Sequence, residues 1–499
     1  MLLRQTLLYL PAQVLGPLFQ LASAFVWTHY LAPGEMGLFA LVNAAQELGF
    51  ATTMMWFALY TVRYFDKSAA EKTQAKFHAS ESAVMIAASI AMALGLAVLP
   101  LGGGEALSGW VLASAASYVV SRSLVSYLAE RARVEGETVV YTMLQTLAPV
   151  AGFAMSLVLV RVLPPGAATV LLGYTIAQVV SIALALTRLS FSVTPQACEF
   201  SQIRQAMKFG FPVIIGGLFV WIANNGLRFL VEWRDGLEGV GLVTVGWALG
   251  QRAAGFASML TTAAAFPLAV RRSREDGMAA GQAQLVSNGV LLAATLAPAI
   301  VGLIVIGKPL IALVVAERYR EMTDAVLPMA LITGAVRAFR IHFPTQIFLL
   351  HERSGAALRF DTWDGVLAVA FGLAGLVWGG VLGCVAGVMV ASFATLAVAM
   401  SAAKQDYGFT FPLSDLARIG AATLAMAAAV YGFGAVPTTL SLTGAIVIGG
   451  GVYGLAMAAL YPAIARETAS LLQTLPAKFN ATRRAANPIS RANNAGVPT

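Results

Sequence analysis

The sequence predicts an all-α polytopic membrane protein of about fourteen transmembrane helices, in two parallel-repeat six-helix lobes followed by two C-terminal helices. Three observations lead there. Of 499 residues, 58% are hydrophobic and 11% charged, and the mean hydropathy of +0.76 is too high for a water-soluble globule of this size. Apolar segments long enough to cross a bilayer recur along nearly the whole chain. Lysine and arginine concentrate on alternate loops.

Windows of about 20 residues place the spans near 6–30, 37–62, 83–101, 106–128, 140–160, 168–187, 209–231, 240–268, 285–306, 325–350, 364–380, 382–400, 416–434 and 441–461. The ninth could extend through Leu310 to Val315, and Gly379-Gly380 marks a soft boundary between the eleventh and twelfth. The first span follows a single arginine and runs too long for a signal peptide, so it reads as a retained helix. With the N-terminus inside, inner segments carry 22 of the 32 basic residues and outer loops only four: Arg161, Arg234, Arg318 and Arg320. The other six, Arg122, Arg228, Arg252, Lys308, Arg337 and Arg340, fall within spans. A missed span would scramble this alternation, so the asymmetry supports both count and orientation, with both termini cytoplasmic. It also explains the net charge of +8 without invoking nucleic acid.

The stretch from Lys208 to Arg252 resembles the beginning of the chain. Pro11, Gly16 and Phe19 are matched by Pro212, Gly216 and Phe219, and a short polar turn then leads to Gly37-Leu-Phe or Gly241-Leu-Val. Six spans precede the second copy, so the copies share one orientation and are related by an axis along the membrane normal. The units are an N-lobe over 1–190, a linker over 191–207, a C-lobe over 208–403, the last two spans over 412–462 and a basic, disordered tail over 466–499.

Cys198 and Cys384 suggest neither a disulfide framework nor a metal site. No P-loop, metal-spaced cluster or nucleophile elbow is present, and the loops are too short for a membrane-bound synthase. No cofactor is expected, and a transporter of this kind would draw on a proton or sodium gradient. Candidate function therefore rests on polar residues inside spans. A buried arginine costs roughly 2.5–3.5 kcal/mol on insertion scales, so it turns toward water, a partner or a substrate. Arg252, Arg337 and Arg340 are candidates to line a cavity, the last two sharing a helix face; a structural cluster is the alternative. Arg122 and Arg228 lie nearer span ends, where snorkelling competes with that role. Glu47 reads as the one acid deep in a span: a neutralised structural carboxylate, a proton or cation site, or the counter-ion of an arginine. Its equivalent depth to Arg252 predicts a pair across the lobes, direct or bridged by one water. Gln13, Gln20, Asn43, Asn224, Asn225 and Gln251 are further polar candidates. Trp27, Tyr30, Trp56 and Tyr60 read as an interfacial belt.

The opening Tyr9-Leu-Pro-Ala-Gln13, the run Trp27-Thr-His29-Tyr-Leu-Ala-Pro33-Gly-Glu-Met-Gly37, the span count and the repeat resemble the multidrug/oligosaccharidyl-lipid/polysaccharide (MOP) exporter superfamily, and within it Wzx-type polysaccharide flippases. The resemblance implies a central cavity lined by helices one, two, seven and eight. It implies export, across a bacterial inner membrane, of an undecaprenyl-diphosphate-linked oligosaccharide destined for O-antigen, capsule or exopolysaccharide. It further implies contact with membrane lipids, a polysaccharide polymerase and a chain-length regulator. Lipid II flippases and cation-coupled drug antiporters of the MATE type are the neighbouring possibilities. An anionic diphosphate asks for cavity arginines, whereas a cationic drug asks for buried acids.

Overall fold

A computed structural model describes residues 19–66, 71–98, 108–190, 198–262, 264–433 and 436–462. Gln13, the start of the repeat at Pro11 and the expected tail lie outside these residues. The described chain is helical throughout. After α1 over 19–30 come α2 (Pro33–Thr53), α3 (Met55–Tyr64), α4 (Glu71–Val98), α5 (Gly109–Glu135), α6 (Thr138–Thr142), a π-helical turn at Met143–Leu147, α7 (Ala148–Val162) and α8 (Ala167–Leu186). The second half holds α9 (Phe200–Thr262), α10 (Ala265–Asp276), α11 (Met278–Val305), α12 (Gly307–Val314), α13 (Glu317–His342), α14 (Pro344–Leu350), α15 (Ser354–Tyr407), α16 (Leu413–Phe433) and α17 (Thr439–Leu460).

Among the described residues, ten helices are long and apolar enough to cross a membrane. Two of them each contain a hairpin. α9 runs for 63 residues and reverses at Gly236 (φ 63°, ψ −166°), and α15 runs for 54 and reverses at Gly380 (φ 63°, ψ −150°). That combination of angles is essentially restricted to glycine, so each reversal needs no longer loop. Counting both arms of each hairpin, and adding α1 and the α2–α3 pair, accounts for the expected fourteen spans. Two boundaries differ from expectation. α12 is a separate short helix rather than an extension of the ninth span, and the tenth breaks at Phe343, where Pro344 restarts it as α14.

The expected aromatic belt does not form. Trp27, Trp56 and Tyr60 are buried in the core, and Trp27 stacks edge-on against Phe153. Trp27 on α1 and Trp56 and Tyr60 on α3 face into the bundle and pack between helices. Residues at and within the linker are tied to the first half. Ser190 donates to Glu135 at 2.8 Å, and Lys76 pairs with Glu199 at 2.5 Å. Glu135 and Glu81 hold the buried Arg131, which lies 3.5 Å over the Phe65 ring.

The two halves meet most closely at the end of the bundle that carries Gly236. A Cβ on Gly37 would lie 1.9 Å from the Leu237 carbonyl oxygen, and one on Gly241 would lie 1.8 Å from the Pro33 carbonyl oxygen. The contact is reciprocal: each glycine faces the carbonyl four residues before the other. Helix α2 and the second arm of α9 thus cross backbone to backbone, which only glycine permits. Replacing Gly37 or Gly241 by alanine is expected to force these helices apart and cost about 1–3 kcal/mol, as overpacking does. Thermal unfolding in detergent should show a lower midpoint for either variant, and none for Gly34→Ala, whose Cβ would meet nothing within 4 Å.

Candidate functional site

A cavity of about 170 Å³ opens between the halves, directly beside the glycine crossing. Its wall comes from α1 (Gln20, Ser23, Trp27), α2 (Met36, Phe39, Asn43, Gln46, Glu47), α5 (Tyr118, Arg122), α7 (Pro149), α8 (Tyr174, Gln178) and both arms of α9 (Arg228, Thr244, Arg252). Regular helical spacing explains which α2 residues appear. Met36, Phe39, Asn43 and Glu47 follow one another by three or four, so they form one stripe. The same spacing aligns Tyr118 and Arg122 on α5.

The charge of this wall is one-sided. Arg122, Arg228 and Arg252 face a single carboxylate, Glu47. Arg228 Nε and Arg252 Nη1 are buried and find no acceptor among the described protein atoms. Arginine stays protonated in proteins, so these groups keep their charge and their unused N–H donors. Three amides of the wall, by contrast, are already engaged. Asn43 Oδ1 accepts from the Tyr118 hydroxyl at 2.7 Å, Gln46 Nε2 donates to Ser123 at 3.1 Å, and Gln178 Oε1 accepts from Ser121 at 2.7 Å. These bonds anchor the amides to α5, whereas the Thr244 hydroxyl meets no partner among the described protein atoms.

Several residues singled out in the sequence lie elsewhere. Arg337 and Arg340 do not reach the cavity. They are buried against α15, where Arg337 Nε meets Asp364 at 3.1 Å and Arg340 Nη2 meets Asp361 at 3.0 Å and Asp364 at 3.4 Å. The expectation that Glu47 stands alone as a deep acid is corrected by the same pairs. α15 begins at Ser354, ten residues before the expected span, so Asp361 and Asp364 fall inside the helix. Their spacing of three matches that of Arg337 and Arg340, and this matched pair of doublets was the available signal. Asn224 is exposed and outside the lining; Gln251 donates to the Ala330 carbonyl at 3.2 Å, facing α13. The direct form of the expected pair between Glu47 and Arg252 is not made. Glu47 Oε2 instead accepts from Asn225 Nδ2 at 3.0 Å, and Asn225 Oδ1 accepts from Arg228. A neutral amide thus separates carboxylate from guanidinium, and Arg252 stays open to the cavity.

Two arginine sets with opposite surroundings imply opposite phenotypes. Asp364→Asn is expected to strip the buried Arg337 of its counter-charge and cost about 3–5 kcal/mol, as breaking a buried pair does. Membrane levels of that variant should fall sharply, while those of Arg252→Gln should match the parent on a quantitative immunoblot.

Comparison with known proteins agrees with this architecture. The family model for polysaccharide biosynthesis proteins matches residues 2–273. Among solved structures, the lipid II flippase MurJ in an inward closed conformation superposes with a TM-score of 0.74 at 12% identity, covering 92% of this chain and 99% of that one. The MATE transporter VcmN of Vibrio cholerae gives 0.52 at 16% identity, over 80% of this chain and 95% of that one. A MOP superfamily transporter from Pyrococcus furiosus gives 0.50 at 15% identity, over 81% and 94%. No curated protein matches the sequence. Identities this low speak to fold alone, and the fold is that of MOP transporters. The family match extends across more than half of the chain, and the chain belongs to the polysaccharide biosynthesis protein family.

Proposed function

We propose that the protein is a flippase that carries a lipid-diphosphate-linked oligosaccharide from the inner to the outer leaflet of a bacterial inner membrane. The lipid is of the undecaprenyl class, and the product feeds O-antigen, capsule or exopolysaccharide assembly. The observation that carries this reading is the one-sided cavity: three guanidinium groups against one carboxylate between the halves. A diphosphate presents several anionic oxygens, and arginine binds them through two parallel N–H bonds. Burial makes each such bond count for more than it would in water. A cation-coupled drug antiporter would need the reverse sign, so that reading fits the cavity poorly.

Mechanistically, Arg228 and Arg252 would hold the diphosphate from the second half of the chain and Arg122 from the first. The ligand would then bridge the halves, and their relative tilt would carry it across. The glycine crossing would close one end of the path while the other end is open. Glu47 is the group that could take up a coupling proton or sodium ion, since it is exposed to the cavity. In this reading both termini are cytoplasmic, no cofactor takes part, and a polymerase and chain-length regulator receive the product.

Lipid II is a second substrate of the same chemistry. This chain shares its fold with the lipid II flippase MurJ over 92% of its length, and the cationic cavity suits either lipid diphosphate. The two readings share the diphosphate site and differ in the sugar.

Purified protein in liposomes is expected to translocate lipid-linked oligosaccharide without ATP; a strict ATP requirement would overturn the carrier reading. Arg122→Gln, Arg228→Gln and Arg252→Gln should each weaken ligand binding about ten- to a hundredfold, since a hydrogen bond to a charged group contributes roughly 1.5–3 kcal/mol. Faster transport of lipid II than of oligosaccharide-linked carrier would select the second substrate.

A further inference from the structure

Two hydrogen bonds cross between the halves beside Arg228. Trp221 Nε1 donates to the Ala44 carbonyl at 2.8 Å, and Asn225 Nδ2 donates to Glu47 Oε2 at 3.0 Å. Trp221 and Asn225 are four apart on α9, and Ala44 and Glu47 are three apart on α2, so both bonds follow one seam. Further along, a Cβ on Gly210 would lie 2.3 Å from the Trp56 Cβ, so the backbones remain close.

Asn225 uses both ends of its amide in this seam. A carboxylate only accepts and a guanidinium only donates, so the orientation of the amide follows from its neighbours. The side chain is 2% exposed and is not part of the cavity wall. It touches the two charged groups that are. We infer that Asn225 is a positioning residue that transmits anion binding at Arg228 to the seam between the halves. This rests on the anionic-substrate reading above.

Two effects act on the same amide when phosphate arrives. A phosphate held by the two terminal nitrogens of Arg228 competes with Asn225 Oδ1 for Nη1. Phosphate among Arg122, Arg228 and Arg252 also brings negative charge against Glu47, and in a poorly screened cavity that repulsion exceeds the net contribution of one hydrogen bond. Loss of the Asn225 bonds frees Glu47 from α9 and leaves the seam held by Trp221 and apolar packing. The ligand therefore favours the loosened seam, which is the differential interaction that a ligand-driven change requires.

The seam offers its own reporter. A Cβ on Gly217 would lie 4.0 Å from the Ala51 Cβ, a separation that suits a disulfide. Disulfide formation in Ala51→Cys/Gly217→Cys, with Cys198 and Cys384 changed to alanine, is followed in the reconstituted full chain. Inorganic diphosphate is the probe, and its binding is measured in parallel by calorimetry. With Asn225 present, saturating diphosphate is expected to slow cross-linking at least about fivefold, the lower edge of ordinary site–site coupling. Asn225→Leu should cross-link slowly with or without the probe. Glu47→Gln keeps an acceptor for Asn225 but loses the charge, so its unliganded rate should match the parent while most of the response disappears. That last result is one a purely structural Asn225 would not produce, and it stands even if Asn225→Leu folds poorly. Diphosphate that binds without changing the rate, or a full response in Glu47→Gln, would overturn the inference and leave the anionic site intact. Failure of diphosphate to bind would overturn both.

Discussion

A guanidinium that keeps its proton and cannot be left in hydrocarbon is the constraint around which this protein is arranged. Besides Arg131, which Glu81 and Glu135 hold, five arginines fall deep in its helices, in two different environments. Arg337 and Arg340 are neutralised by Asp361 and Asp364 inside the second half. Arg122, Arg228 and Arg252 are turned to a cavity where one carboxylate stands against three cations. The first arrangement balances charge, two carboxylates against two guanidiniums, although Arg337 Nη1 and Nη2 and Arg340 Nε and Nη1 meet no acceptor among the described protein atoms. The second leaves positive charge and unused N–H donors facing an opening between the halves.

The placement of that opening follows from the helix crossing beside it. Gly37 and Gly241 let two backbones touch, and each faces the carbonyl four residues before the other. Met36 and Phe39 of α2 and Thr244 and Val245 of α9 lie beside that crossing and line the cavity. Asn225 lies where the halves are still in contact and the charged wall begins, so a single amide joins the mechanical seam to the binding surface.

The fold by itself does not set the substrate. The MATE and MOP structures that superpose on this chain share its fold at identities of 15–16%. Such likeness carries no substrate. Substrate preference has to come from the cavity wall, and here the wall is cationic, with aromatic rings at Trp27, Phe39, Tyr118 and Tyr174.

Membrane residence, the number of spans and the kinship of Gly37 with Gly241 were legible in the sequence because each is written in local order. Length and hydropathy define a span without reference to any neighbour, and a repeat is a comparison of the chain with itself. Asn43, Glu47, Arg122, Arg228 and Arg252 were likewise visible, since a polar residue inside a span has few places to go. Which arginine meets which acid was decided only by the tertiary structure. Arg337 is 27 residues from Asp364, and no local rule says that α13 and α15 turn those faces together. The same holds for Glu47 and Asn225, 178 residues apart. Depth along two helices could be estimated from 1.5 Å per residue, and it placed Glu47 level with Arg252. Rotation about each helix axis could not, because it depends on every helix packed around it, and that rotation turned Glu47 to Asn225 and left Arg252 facing the cavity.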